Sequence, residues 1–223
     1  MADKKLEKAL YGPSTMEVAL GAALGLFLGL ALAVVFLVLQ PVTKVTELPK
    51  EIAKGKVYYI AGESNSAKAR DLKSKEEIFV RGGSVSFNEA ELNAWVGSQG
   101  AANAKPDTKP AAPGFVALSG LNFRIVGDRV QIALKASFDV FGFTRDVTLQ
   151  TVGTFAKNGE GFAFVPEQLY LGSCPVHTVP GATTLLASRA LAQQEGSDEF
   201  RSAWAKVKAI TVANGLLNIT TQP

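Results

Sequence analysis

Val130-Gln131-Ile132-Ala133-Leu134-Lys135-Ala136-Ser137-Phe138-Asp139-Val140 is the stretch that decides the fold. Val130, Ile132, Leu134, Ala136, Phe138 and Val140 share one parity, and Gln131, Lys135, Ser137 and Asp139 share the other. Side chains of an extended chain alternate between faces, so this pattern is a strand with one buried face. Gly127-Asp128 before it supplies a turn, and Phe143 to Phe155 after it reads as a second long strand. Asn158-Gly159 then marks a tight hairpin, because a two-residue turn of this hand needs positive φ at both central positions. Phe162, Phe164, Leu169 and Leu171 lie on a third strand, where Pro166 calls for an edge position or a bulge, since proline gives the ladder no N–H. Strands this long imply a tall, strongly twisted antiparallel sheet.

Helical signals flank the strands. On the C-terminal side, Pro180 opens a segment carrying Leu185, Leu186, Ala190 and Leu191, and Gly196 ends the connection. Ser197-Asp198-Glu199 starts a second helix, in which Phe200, Ala203, Trp204 and Val207 fall on one apolar stripe. Ile210 and Val212, the turn Asn214-Gly215, and Leu216 to Ile219 make a closing hairpin. On the N-terminal side, Val85-Ser86-Phe87 alternates as a strand and runs into Asn88-Glu89-Ala90-Glu91. Asn88 there is placed to cap a helix and Glu91 to close the box from three residues on. That helix is expected to continue through Leu92 and Trp95 to about Val96. From Gly97 to Gly114 no aliphatic side chain exceeds alanine, so 97–114 reads as a flexible loop. The charged stretch holding Lys68, Arg70, Asp71, Lys73, Lys75, Glu76 and Glu77 reads as a solvated helix or loop. The class is α+β, an antiparallel sheet of long twisted strands packed against a few short helices.

Ahead of this domain, Val18 to Leu39 carries no charged and no strongly polar side chain. At ~1.5 Å per residue the run covers roughly 33 Å, enough to cross a hydrocarbon core. Ala31-Leu32-Ala33 has the form of a signal-peptide cleavage site behind Lys4, Lys5 and Lys8. The apolar run nevertheless continues to Leu39, past the length of a signal peptide, which favours a retained single-pass anchor. The organisation that follows is a cytoplasmic N-terminus 1–17, a transmembrane helix 18–40, a stalk 41–56 and an extracytoplasmic domain 57–223. Lys56 to Ile60 reads as a short strand at the domain's start. A short N-terminus beside a first span usually stays inside, so the domain is expected on the periplasmic or extracellular side of a bacterial inner membrane.

Within the span, Gly21, Gly25, Gly29 and Ala33 recur at every fourth residue and line one stripe, where another helix backbone can approach closely. A transmembrane partner helix, from a second copy or another protein, is expected there. Gly12-Pro13-Ser14-Thr15-Met16-Glu17 also resembles the processing site of type IV pilin-like proteins, with Pro13 departing from the usual bulky first residue. Pro41 and Pro49 interrupt the long continuous helix such proteins have.

The order of elements is similar to that of small single-pass bacterial envelope proteins with a β-rich extracytoplasmic domain, of the kind compared with TULIP-like and AsmA-like lipid-handling folds. Val85 to Asn93, the hairpins from Val126 to Gly161, and Leu169-Tyr170-Leu171-Gly172-Ser173-Cys174-Pro175 carry the likeness. The resemblance implies binding of lipid or of a partner.

Composition excludes several chemistries. The chain has 223 residues, with Lys+Arg 23 against Asp+Glu 20, a net charge of +3 with no basic face, so no nucleic-acid partner is expected. One Cys and one His exclude a disulfide framework and multi-cysteine or histidine-rich metal sites. Cys174-Pro175-Val176-His177 is the place where a nucleophile and a base lie close, yet no orienting group or further metal ligands accompany it. Asp139, Asp146 and Arg145 beside Phe141-Gly142 read as ordinary charges at a hairpin end. No catalytic, cofactor or metal residues are therefore expected. The first functional expectation is a membrane-anchored module for lipid or another hydrophobic ligand. Its groove would lie between the sheet face of Ile132, Leu134, Phe138 and Leu149 and the helices of Leu185, Leu186, Phe200 and Trp204. The alternative is a structural or assembly subunit of a membrane complex, including a pilin-like role.

Overall fold

The computed structural model describes residues 12–53, 55–65, 67–103, 116–140, 143–158, 161–179, 181, 183 and 202–221. An apolar helix, α1 (Thr15–Leu39), precedes an α+β domain. Ser14 Oγ accepts from the Glu17 N–H at 3.3 Å, and the Ser14 N–H donates to the Glu17 carboxylate at 3.1 Å. This capping box accounts for Glu17 at the head of the apolar helix by backbone satisfaction alone. The helix stops at Leu39 because Gln40 precedes Pro41 and takes the extended conformation that a following proline imposes, φ −68 and ψ 121.

The segment read as a stalk folds back onto the domain. Strand β1 (Thr43–Lys44) pairs in parallel with β2 (Tyr58–Tyr59). Next come α2 (Leu72–Val80), β3 (Val85–Phe87) and α3 (Glu89–Asn103). The α3 start has the expected box: Asn88 Oδ1 accepts from the Glu91 N–H at 2.8 Å, and the Asn88 N–H donates to Glu91 at 2.9 Å. The helix runs on to Asn103 where an end near Val96 and a loop from Gly97 are expected. Gln99, Ala101 and Ala102 favour helix enough to carry it past the two glycines. The rest of the expected loop lies outside the described residues.

The large sheet is an antiparallel meander of β4 (Val116–Val126), β5 (Arg129–Val140), β6 (Phe143–Asn158), β7 (Gly161–Leu171) and β8 (Cys174–Pro175) in that spatial order; β5, β6 and β7 are the three strands read from the sequence, and β4 and β8 extend the sheet on either side of them. Asn158 pairs with Gly161, so Asn158 belongs to the ladder instead of opening the turn as the Asn158-Gly159 signal implies. The register shifts between Val152 and Gly153, opposite Pro166, which is the bulge that the proline calls for. A second sheet orders β3, β10 (Leu216–Thr221) and β9 (Val207–Ala213). Its hairpin turns at Asn214 (φ 54) and Gly215 (φ 73), the positive pair that a type I′ turn requires.

Val207 opens β9, a correction to its place on a helical stripe. The helical turn closes at Trp204, and Val207, Ile210 and Val212 belong to a run rich in β-branched residues, which the strand geometry suits. The core joins Phe79, Val85, Leu92, Val130, Ala203, Val207, Ile210, Leu217 and Ile219, with Phe123, Ile132, Phe155, Phe164 and Trp204 packed against it. It therefore sits between the small sheet with its helices and one end of the large sheet. Phe155 meets Phe164 and Trp204 edge-on, at centroid distances of 5.5 and 6.5 Å.

Strand β4 is an edge, and α3 covers it with side chains instead of another strand. Asn93 Oδ1 accepts from the Phe123 N–H at 2.7 Å and its amide donates to the Phe123 carbonyl at 2.8 Å, as a paired strand residue would. One turn earlier, Glu89 accepts from the Ile125 N–H at 2.7 Å. Both backbone groups of Phe123 and the N–H of Ile125 are thereby occupied and closed to intermolecular pairing.

Candidate functional site

The site with the most unusual construction is the junction between α1 and the large sheet. Hydrogen bonds in a helix run from an N–H to the carbonyl four residues back, so the Leu37 carbonyl would need an N–H from residue 41. Residue 41 is proline, which has none. The Ser173 N–H, in the turn between β7 and β8, donates to Leu37 O at 3.0 Å instead. Ser173 Oγ reaches the Gln40 carbonyl at 3.4 Å. Gly172 beside it has φ 59, and a Cβ there would overlap the Val38 carbonyl oxygen. The Gly172 N–H donates to the Thr148 carbonyl of β6 at 2.8 Å, tying the turn to the middle of the sheet. Helix and sheet thus meet backbone to backbone, where only glycine fits.

Beyond that junction the helix is bare. Gly21, Gly25 and Gly29 have nothing within 4 Å of where a Cβ would stand. Ala33 is exposed on the same stripe. Leu24, Leu26, Phe27 and Leu28 are 59–76% exposed, which in water would be an untenable apolar surface. The chain has one helix long and apolar enough to cross a membrane among the described residues.

The residues read as a groove are placed differently from one another. Ile132 and Trp204 pack on the core, and Trp204 Nε1 donates to the Phe162 carbonyl at 3.2 Å. Leu134 and Leu149 are directly paired across β5 and β6 and half-buried. Phe138 is placed by its backbone opposite Arg145. Leu185, Leu186 and Phe200 lie outside the described residues. A recess of about 330 Å³ opens on the opposite face of the sheet, bedded on Gln131, Val152 and Gln168 and walled by Leu48, Tyr58, Ile60 and Arg124. Sequence periodicity missed it because it forms where the returning 41–60 segment crosses the polar parity of the strands.

Near this face, Tyr59 Oη donates to Asn122 Oδ1 at 2.9 Å, which also accepts from the Gly62 N–H at 2.8 Å. Burial raises the Tyr59 pKa above its ordinary value, because the phenolate would lose solvation. Lys75 Nζ bonds Glu91 at 2.6 Å, and the Glu91 side chain is only 2% exposed. The same ammonium donates to the Ser86 carbonyl at 2.8 Å, which makes the pair a clamp between α2, β3 and α3. Cys174 is buried. His177 Nδ1 lies 3.0 Å from the Leu169 carbonyl, and its ring meets Tyr170 edge-on at 5.1 Å, fastening the 3-10 turn Val176–Thr178 to β7. Among the described residues no group of three potential metal ligands converges.

Comparison with family models, with curated proteins and with solved structures gave no match.

Proposed function

We propose that the chain is a single-pass assembly subunit without chemistry of its own, which docks through its span on another transmembrane helix and holds its domain in a set orientation at the membrane. The observation that carries this reading is the junction at Gly172 and Ser173. A tether that only kept a domain nearby would need no hydrogen bond across it. A junction made backbone to backbone couples rotation of the helix to orientation of the domain, which matters when the helix itself is held by a partner. The bare stripe of Gly21, Gly25, Gly29 and Ala33 is the surface such a partner would take. In this reading the domain stands on the outer side of a bacterial inner membrane.

Extraction in mild detergent, followed by mass measurement of the intact particle, tests this. The expected particle exceeds one chain plus micelle, and Gly25→Ile reduces it, since a branched side chain blocks close backbone approach. A monomer in both forms overturns the reading. The recess over Gln131 and Val152, with Leu48, Ile60 and Val126 on its walls, favours a second reading, in which the domain holds a small amphipathic or lipid-like ligand. The same extraction examines it: lipid retained in fixed proportion by a monomeric particle would support ligand binding in place of assembly.

A further inference from the structure

We infer that the end of the large sheet around β8 rests in the headgroup layer, so that the surface from Tyr170 to Val179 has phospholipid as its partner. The inference builds on the reading of α1 as a membrane span. Ser14 and Glu17 close the N-terminal end of α1 with a polar box, so the hydrocarbon region begins near Val18. Nineteen residues from Val18 to Phe36, at 1.5 Å each, give about 28 Å, close to the ~30 Å thickness of a hydrocarbon core. Leu37 and Val38 then stand at its boundary, and these are the residues that Ser173 and Gly172 touch. The β7–β8 turn shares their depth.

The composition of that turn agrees with the depth. From Gln168 to Val179 there is no Asp, Glu, Lys or Arg. Tyr170 and His177 are stacked edge-on, and Tyr is a side chain enriched at membrane–water interfaces. Val179 is 50% exposed, an apolar side chain with no cover that the lipid boundary would supply. Charges of both signs stand on the neighbouring strands at the same end of the sheet, Lys135 and Asp139 on β5 and Arg145 and Asp146 on β6, where headgroups and water can pair them. Glu77, Phe79 and Arg81 of α2 and its C-terminal cap lie at the far end, where Trp204, in contact with Phe79, bonds the Phe162 carbonyl of β7. Along β7 that end is about 30 Å from Leu171, at ~3.3 Å per residue.

Spin labels placed singly at Val179→Cys, Leu28→Cys and Arg81→Cys, in a Cys174→Ala background, test the seating in the full chain reconstituted into phosphatidylcholine–phosphatidylglycerol vesicles. The expected ratio of oxygen to nickel-chelate collision is several-fold higher at Val179 than at Arg81, and highest at Leu28. A Val179 label as water-accessible as Arg81, with Leu28 still buried in lipid, overturns the seating and leaves the span intact. A water-accessible Leu28 overturns both. The unsubstituted chain gives a second readout: a phospholipid with a photoreactive headgroup should label the segment between Tyr170 and Val179, and domain adducts found only elsewhere would contradict the inference.

Discussion

Replacing Gly172 with alanine should uncouple the helix from the domain while leaving the domain folded. Two costs arise in the structure. A left-handed backbone (φ 59) disfavours a residue with Cβ by about 1–2 kcal/mol. The new methyl also overlaps the Val38 carbonyl, so the turn must withdraw and the Ser173 bond to Leu37 breaks. That leaves a carbonyl which Pro41 cannot serve, at about 1–3 kcal/mol. The sum, about 2–5 kcal/mol, falls on a contact outside the main core and is therefore met by separation of the helix rather than by unfolding. Gly172→Asn divides the two terms, because asparagine tolerates left-handed backbone but still carries Cβ. Ser173→Ala keeps the N–H and should do little. Pulsed electron paramagnetic resonance between labels at Leu28→Cys and Arg81→Cys, in a Cys174→Ala background, reads the coupling. A narrow distance distribution in the parent should broaden in Gly172→Ala and Gly172→Asn, with circular dichroism retained. An unchanged distribution in both would refute the reasoning that this turn locks helix to sheet.

Further outcomes follow from the polar contacts of the domain. Asn93→Ala should lower stability by about 2–5 kcal/mol in denaturant titration, since it strips both backbone groups of Phe123 of their partner; a loss under about 0.5 kcal/mol would show that water replaces it freely. Lys75→Met should cost about 3–5 kcal/mol by stranding the buried Glu91 carboxylate, and Lys75→Met with Glu91→Gln should cost less than Lys75→Met alone; simple additivity would contradict the pairing. For Tyr59, a pKa raised by burial means that its contribution is complete below an unfolded-state pKa of about 10 and declines as pH rises through the higher folded-state value. Stability measured across that alkaline range should fall more steeply in the parent than in Tyr59→Phe, and parallel curves would dismiss the effect.

Much of the sheet was legible because its signals are local. The alternation from Val130 to Val140, the Asn214-Gly215 turn and the Asn88/Glu91 box each depend on residues a few positions apart. The Phe200-to-Val207 stripe misled at its end because helical and strand spacings cannot be distinguished over so few residues; Val207 is buried in either geometry. The junction was hidden for a different reason. Ser173 and Leu37 are far apart in sequence, and the interaction is between backbone atoms, which no side-chain pattern records. One signal was available: Pro41 orphans the Leu37 carbonyl, so a donor had to come from elsewhere in the chain or from water. The recess stayed hidden because its bed uses Gln131, Val152 and Gln168, side chains of the parity read as solvent-facing or left unassigned.

The central claim, that the bare stripe of α1 meets another helix in the membrane, is tested most directly by photocrosslinking in native membranes with a photoreactive residue moved one position at a time from Leu20 to Val34. Adduct yield should rise and fall with the helical period, peaking at Gly21, Gly25, Gly29 and Ala33, and each peak should carry the same partner mass. Yields that are flat along the span, or protein adducts absent at all of these positions while lipid adducts form throughout, would contradict it.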